Sequence, residues 1–114
     1  MTRLKVTAGD LTRELEVPDE LLAEAEDFFA RLDADMDRGW QMSRRWVDNP
    51  DATQRCQILA DRILTAWHNK NPQMAGLAAA YILKRLPGIR HVTIDITGDM
   101  TQTRFEHADD SEQR

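Results

Sequence analysis

Apolar and polar residues alternate at both ends of the chain, and apolar residues recur every three or four positions in between. Near the start, Leu4, Val6 and Ala8 alternate with Arg3, Lys5 and Thr7, and alternation resumes after Gly9-Asp10. Strict alternation marks half-buried strands. A two-residue loop with glycine first suits a type II′ turn, whose first central residue needs a positive φ. The turn sets a register. Leu4 faces Leu15, Val6 faces Arg13 and Ala8 faces Leu11 on a mostly apolar side, while Arg3 faces Glu16 and Lys5 faces Glu14 on the other. The segment HVTIDITGDMTQTRFE repeats the device around Gly98-Asp99. Val92, Ile94 and Ile96 there share a side with Thr101, Thr103 and Phe105. His91, Thr93 and Asp95 share the other with Gln102, Arg104 and Glu106. Both turns read Gly-Asp, then Leu or Met, then Thr, which is too short a match to define an internal duplication.

Three helices are predicted between the hairpins. The first opens at VPDELL, with Pro18 in its first turn and Asp19 and Glu20 near its positive end. The second opens at DNPDATQ, with Asp48 or Asn49 as cap and Pro50 at the first helical position. The third opens at NPQM, with Asn71 as cap and Pro72 next, and stops at LPGI, where Gly88 ends it. An isolated hairpin is marginal in water, so the two hairpins are expected to share a sheet. The predicted fold class is α+β: an N-terminal β-hairpin, three helices and a C-terminal β-hairpin. The hairpins form one antiparallel sheet packed on the helices, in a single domain over 1–106 with a frayed polar tail at 107–114.

The run DADMDRG, residues 33–39, resembles the opening of a calcium loop. Asp33, Asp35 and Asp37 would supply the first three ligands. The sixth position, which needs glycine, is Arg38, and the twelfth, which needs a bidentate glutamate, is Arg44. Leu21, Leu22, Ala25, Phe28, Phe29, Leu32, Met36 and Trp40 instead form a helical stripe straight through the aspartates. Residues 33–37 therefore read as a helix face, with Asp33 and Asp37 on its solvent side. No metal site or cofactor is expected.

Charge changes the picture along the chain more than its total does. The net charge of −5 divides into −7 over residues 1–37, +6 over 38–90 and −4 over 91–114. An acidic chain is a poor general ligand for nucleic acid, but the middle block could present a basic surface. The bland alternative is that basic helices pair with acidic neighbours in the same fold. The opening MTRLKVTAGD lacks an apolar secretory run, no stretch is long enough to span a membrane, and Cys56 is the single cysteine. A cytoplasmic, reducing location is the expectation.

Catalytic motifs are sparse. Cys56 and His68 fall on one predicted helix, twelve residues and about 18 Å apart along its axis, so they form no dyad. Cys56 reads as a buried thiol, and His68 as a residue near the free carbonyls of a helix end. His91, Asp95, Arg104 and Glu106 converge on the polar side of the second hairpin, where they would be an acid–base set in a cleft or cross-strand pairs on an open sheet. The small residues Ala75, Gly76, Ala78, Ala79 and Ala80 predict close approach of another backbone, within the fold or across a dimer seam.

The segment RGWQMSRRWVDNP, residues 38–50, reads as a connection between the first two helices with an unusual composition. Arg38, Trp40, Met42, Arg44, Arg45 and Trp46 are residue types enriched at protein interfaces, and they are assigned here as candidate partner-binding residues. The competing expectation puts both tryptophans in the core and pairs the arginines with Asp37, Asp48 and Asp51. The functional expectation is a small protein-interaction or regulatory module without catalytic activity, acting as a homodimer. The first alternative is nucleic-acid or polyanion binding through 38–46, aided by Arg55. A small-ligand enzyme or carrier using the polar side of the second hairpin is the next.

Overall fold

The computed structural model describes residues 2–107 and is an α+β fold. Strands β1 (Thr2–Ala8) and β2 (Leu11–Val17) form the first hairpin, followed by helices α1 (Asp19–Glu24) and α2 (Glu26–Asp37). A short hairpin of β3 (Trp40–Met42) and β4 (Arg45–Val47) comes next. Helices α3 (Ala52–His68) and α4 (Pro72–Arg85) then lead into β5 (Ile89–Ile94), a single 3-10 turn at Met100–Gln102, and β6 (Arg104–His107). Of the tail expected over 107–114, His107 closes β6 and the rest lies outside the described residues.

The first hairpin has the register its turn dictates, from Arg3 opposite Glu16 to Ala8 opposite Leu11, with Gly9 at φ 63°. The second also keeps its expected pairing, with His91 opposite Glu106, Val92 opposite Phe105 and Thr93 opposite Arg104. Its turn differs. Pairing with β6 ends at Thr93, and beyond it the Asp95 carboxylate accepts the backbone N–H of Thr97 and of Asp99, and Asp99 accepts that of Thr101. These side-chain bonds give the backbone a local alternative to the ladder.

The hairpins do share a four-stranded sheet, in the order β2-β1-β5-β6, but it is mixed. Its two central strands, β1 and β5, run parallel, with Lys5 opposite His91 and Ala8 opposite Ile94. Side-chain alternation specifies which face is buried, and parallel and antiparallel neighbours bury the same face. Residues 9–88 supply the long crossover that parallel pairing requires.

Four helices replace the three expected. Ala25, at φ −91° and ψ 10°, separates α1 from α2, although its N–H still bonds to the Leu21 carbonyl. Gly39 ends the stripe at φ 102°, so Trp40 begins a strand rather than continuing a helix. The cap of α3 is Asp51, not Asp48 or Asn49. Its carboxylate accepts from the Gln54 N–H while the Gln54 side chain accepts from the Asp51 N–H, a reciprocal capping box that leaves Pro50 outside the helix. Asn71 caps α4 with Pro72 next, as expected.

Leu4, Val6, Val17, Val92 and Ile94 from the sheet meet Phe29, Leu59, Ile63, Tyr81 and Ile82 from the helices in one hydrophobic cluster. Ala75, Ala78, Ala79 and Ala80 are buried within it, so the small side chains serve packing inside the chain. Gly76 has no such role, since a Cβ there would meet nothing within 4 Å. Cys56 is buried, and burial pushes its thiol up to about 12. His68 is exposed and makes no hydrogen bond to the helix end among the described residues, where the N–H groups of Asn69, Lys70 and Asn71 bond to the Thr65, Trp67 and Ala66 carbonyls.

Candidate functional site

The expected connection at 38–50 folds as a hairpin, and its alternation separates the candidate residues. Trp40 pairs with Val47, Gln41 with Trp46 and Met42 with Arg45 around Ser43-Arg44, where Ser43 takes φ 62°. Opposed residues share a face, so Trp40, Met42, Arg45 and Val47 lie on one side and Gln41 and Trp46 on the other. Met42 is 1% exposed and belongs to the core. Trp40 is half-buried, with the Arg62 guanidinium 5.6 Å from its ring centre, a cation–π contact. The hairpin tip is tied down by Ser43, whose Oγ accepts the Met100 N–H at 2.9 Å.

Trp46 is 56% exposed yet held on two sides. Its indole Nε1 donates to Asp48 Oδ1 at 2.7 Å. The ring also lies against Gly39 so closely that a Cβ there would stand 2.5 Å from it. Arg38, Arg44 and Arg45 are exposed, and none makes a side-chain hydrogen bond or ion pair among the described residues. The pairing expected for them has gone elsewhere: Asp37 accepts from Arg55, Asp48 from Trp46, and Asp51 caps α3. The hairpin therefore presents an accessible indole hydrogen-bonded to Asp48, flanked in sequence by the exposed cations Arg38 and Arg44, while Arg45, opposite Met42, lies on the other face. Trp40 and Met42 are turned away from that outer surface.

A second constellation was not foreseen. Asp33, placed by its helical position on the solvent side, is only 26% exposed and joins three elements. Its carboxylate accepts from the Tyr81 hydroxyl, from Arg55 Nη1 at 3.2 Å and from Arg85 Nη2 at 2.7 Å. Burial works against its charge, but Tyr81, Arg85 and Arg55 outweigh it and hold the Asp33 carboxyl below the usual range. Arg55 also donates to Asp37, Asn49 and the Pro50 carbonyl, and Arg85 to Glu26. With the donors of both arginines directed at protein oxygens, the cluster is a clamp between α2 and the α3–α4 pair rather than a receptor for an anion.

The polar side of the sheet carries a chain of contacts across all four strands. Thr12 and Thr7 share a hydrogen bond at 3.0 Å, Thr7 and His91 Nε2 another at 2.8 Å, and His91 Nδ1 lies 3.7 Å from Glu106. Thr7 was missed by sequence reasoning because parallel β1–β5 pairing alone brings it to His91. Asp95 has left this group for its own loop, and Arg104 is exposed without a side-chain partner among the described residues. A hydroxyl, an imidazole and a carboxylate in line suggest a nucleophile and its base. Thr7 and Thr12, however, sit opposite each other within the β1–β2 ladder, and His91 and Glu106 oppose each other within β5–β6. These are cross-strand polar pairs.

No protein-family model, no curated protein and no solved structure matches the chain. Among the described residues, no helix is long and apolar enough to cross a membrane.

Proposed function

We propose that this chain is a small cytoplasmic protein-binding module without catalytic activity, which docks an acidic partner protein on the outer face of the β3–β4 hairpin. The observation that carries the reading is Trp46: a large aromatic side chain exposed to solvent yet hydrogen-bonded to Asp48 and packed against Gly39. A pre-ordered indole loses little conformational entropy on binding, and tryptophan and arginine dominate interface hot spots. Arg38 and Arg44 give the surface its sign and, with Arg45 exposed on the hairpin's other face, steer an acidic partner towards the anchor. Trp46→Ala should weaken that binding by about 2 kcal/mol, roughly thirtyfold, while leaving the unfolding transition in place. The check is capture from nuclease-treated lysate by wild type, Trp46→Ala and Arg44→Glu/Arg45→Glu, followed by titration of the recovered partner. A partner retained equally by all three proteins would sink the proposal. Unpaired arginines beside an indole also suit stacking on a nucleobase and contact with phosphate. Recovery that disappears with nuclease, with affinity falling steeply in salt, would put that reading first.

The homodimer belongs to the same proposal and is best supported at β6, one edge of the sheet. An antiparallel pair of β6 strands with Phe105 opposite its own copy sets Arg104 opposite the partner's acidic residue at 106, twice over by symmetry. At the other edge, β2, the equivalent central registers oppose Arg13 to itself or Glu14 to itself. Like charges there oppose pairing. Sedimentation should show a dimer that Arg104→Glu dissociates and Arg104→Glu/Glu106→Arg restores. A wild-type protein that stays monomeric up to millimolar concentration would remove this part of the proposal.

A further inference from the structure

The edge strand β2 and the turn joining α3 to α4 enclose a half-open cleft of about 540 Å³, away from the hairpin and from the Asp33 clamp. That size falls within the range of small-molecule sites. Ala66 and Ala75 are buried in it, and Leu15, Leu64 and Trp67 line it half-buried. The body of any occupant therefore meets aliphatic carbon and one indole. Leu11, at 42% exposure one of the few large apolar side chains open to solvent, extends the apolar lining towards the mouth.

The charged residues lining the cleft are Arg13, Lys70 and Glu14. Arg13 lies opposite Val6, on the face of β2 that looks towards the helices, between Leu11 and Leu15. It is exposed and has no hydrogen-bond or ion-pair partner among the described residues. Lys70, held at φ 55° in the α3–α4 turn, is exposed and equally unpaired. Glu14 also borders the cleft, but it stands opposite Lys5, on the face of β2 alternate to that of Arg13. An apolar hollow bordered by two unpaired cations is complementary to a molecule with a hydrophobic body and a single anionic head. An inward-facing charge on an edge strand opposes the addition of a further strand, which favours a small ligand over a peptide as the occupant.

We propose that this cleft binds an amphipathic monocarboxylate. The apolar body, the size of a medium-length acyl chain, packs on Leu15, Leu64 and Trp67, and the carboxylate is held by Arg13 and Lys70. Burial of the chain supplies most of the affinity, and the charge-assisted bonds select the head group. The site shares no residue with the Trp46 surface and stands or falls separately from it.

The test is titration of the full-length protein with decanoate below its micelle concentration, followed by calorimetry and tryptophan fluorescence. Decanol serves as the uncharged chain and acetate as the head alone. Saturable binding is expected, with decanol and acetate each at least tenfold weaker. Arg13→Gln/Lys70→Gln should weaken decanoate at least tenfold with an unchanged circular dichroism spectrum. Trp67→Phe should abolish the fluorescence response, and Trp46→Phe, which lies outside the cleft, should keep both the response and the heat. No saturable heat with decanoate, decanol binding as tightly as decanoate, or a fluorescence response that survives Trp67→Phe would each overturn the proposal.

Discussion

Replacing Asp33 by alanine should lower the unfolding free energy by about 3 kcal/mol, the scale for removing one member of a largely buried ion pair. The loss exceeds that of a surface salt bridge because Asp33 is the shared acceptor of the clamp. Without it, Arg85 keeps Glu26 at 3.3 Å and its place over the Tyr81 and Phe29 rings, but loses its closest carboxylate. Arg55 falls back on Asp37, and the Tyr81 hydroxyl is left without its acceptor. The effect should read out as a lower urea midpoint with an unchanged slope.

The pH dependence separates charge from packing. Asp33 has its folded-state value lowered, so its stabilisation is fully present above the unfolded-state value, near 3.9 for aspartate. That stabilisation is lost as pH falls through the lower, folded-state value. Asp33→Asn keeps the shape and removes the titration. The difference in midpoint between wild type and Asp33→Asn should therefore be constant from pH 7 to about 5 and shrink steadily below pH 4. A difference that persists unchanged at pH 2.5 would mean that packing, and not the carboxylate charge, holds the clamp.

Local features of the sequence carried much of the fold. Gly9-Asp10 and two flanking runs of alternation were enough to fix the first register, and the second register survived even where its turn did not. What alternation cannot encode is strand direction, so the parallel β1–β5 pairing, and with it the contact between Thr7 and His91, was illegible. The Asp33 clamp was hidden for a related reason. A helical stripe identifies which residues face the core but not which border residues meet across 22 or 52 positions of sequence. One trace of it was present: Tyr81 and Arg85 are a turn apart on α4 and must share a face. The exposure of Trp46 was legible in principle. Once WQMSRRWV is read as two short strands around Ser43-Arg44, Trp40 and Met42 fall on one face and Trp46 on the other. Reading the segment as a plain connection concealed it.

Gly39 provides the sharpest test of how that tryptophan is held. Gly39→Ala should cost about 3 kcal/mol, from two sources of comparable size. Its φ of 102° lies where side chains are strained. The new methyl group would also stand 2.5, 2.8 and 2.9 Å from three atoms of the Trp46 ring, distances that force one group to move. The exposed indole has more freedom than the end of α2, so the ring should swing out and lose its bond to Asp48. Trp46 emission would then shift to the red relative to wild type, with Trp46→Phe in the Gly39→Ala background identifying the reporter. Partner affinity should fall by nearly as much as in Trp46→Ala, because an indole free to rotate no longer arrives pre-ordered. If Gly39→Ala instead unfolds at the wild-type midpoint with unchanged emission, the ring is not braced on that glycine. The accessible tryptophan would then be an ordinary mobile side chain, and the strongest reason for placing a partner on this hairpin would be gone.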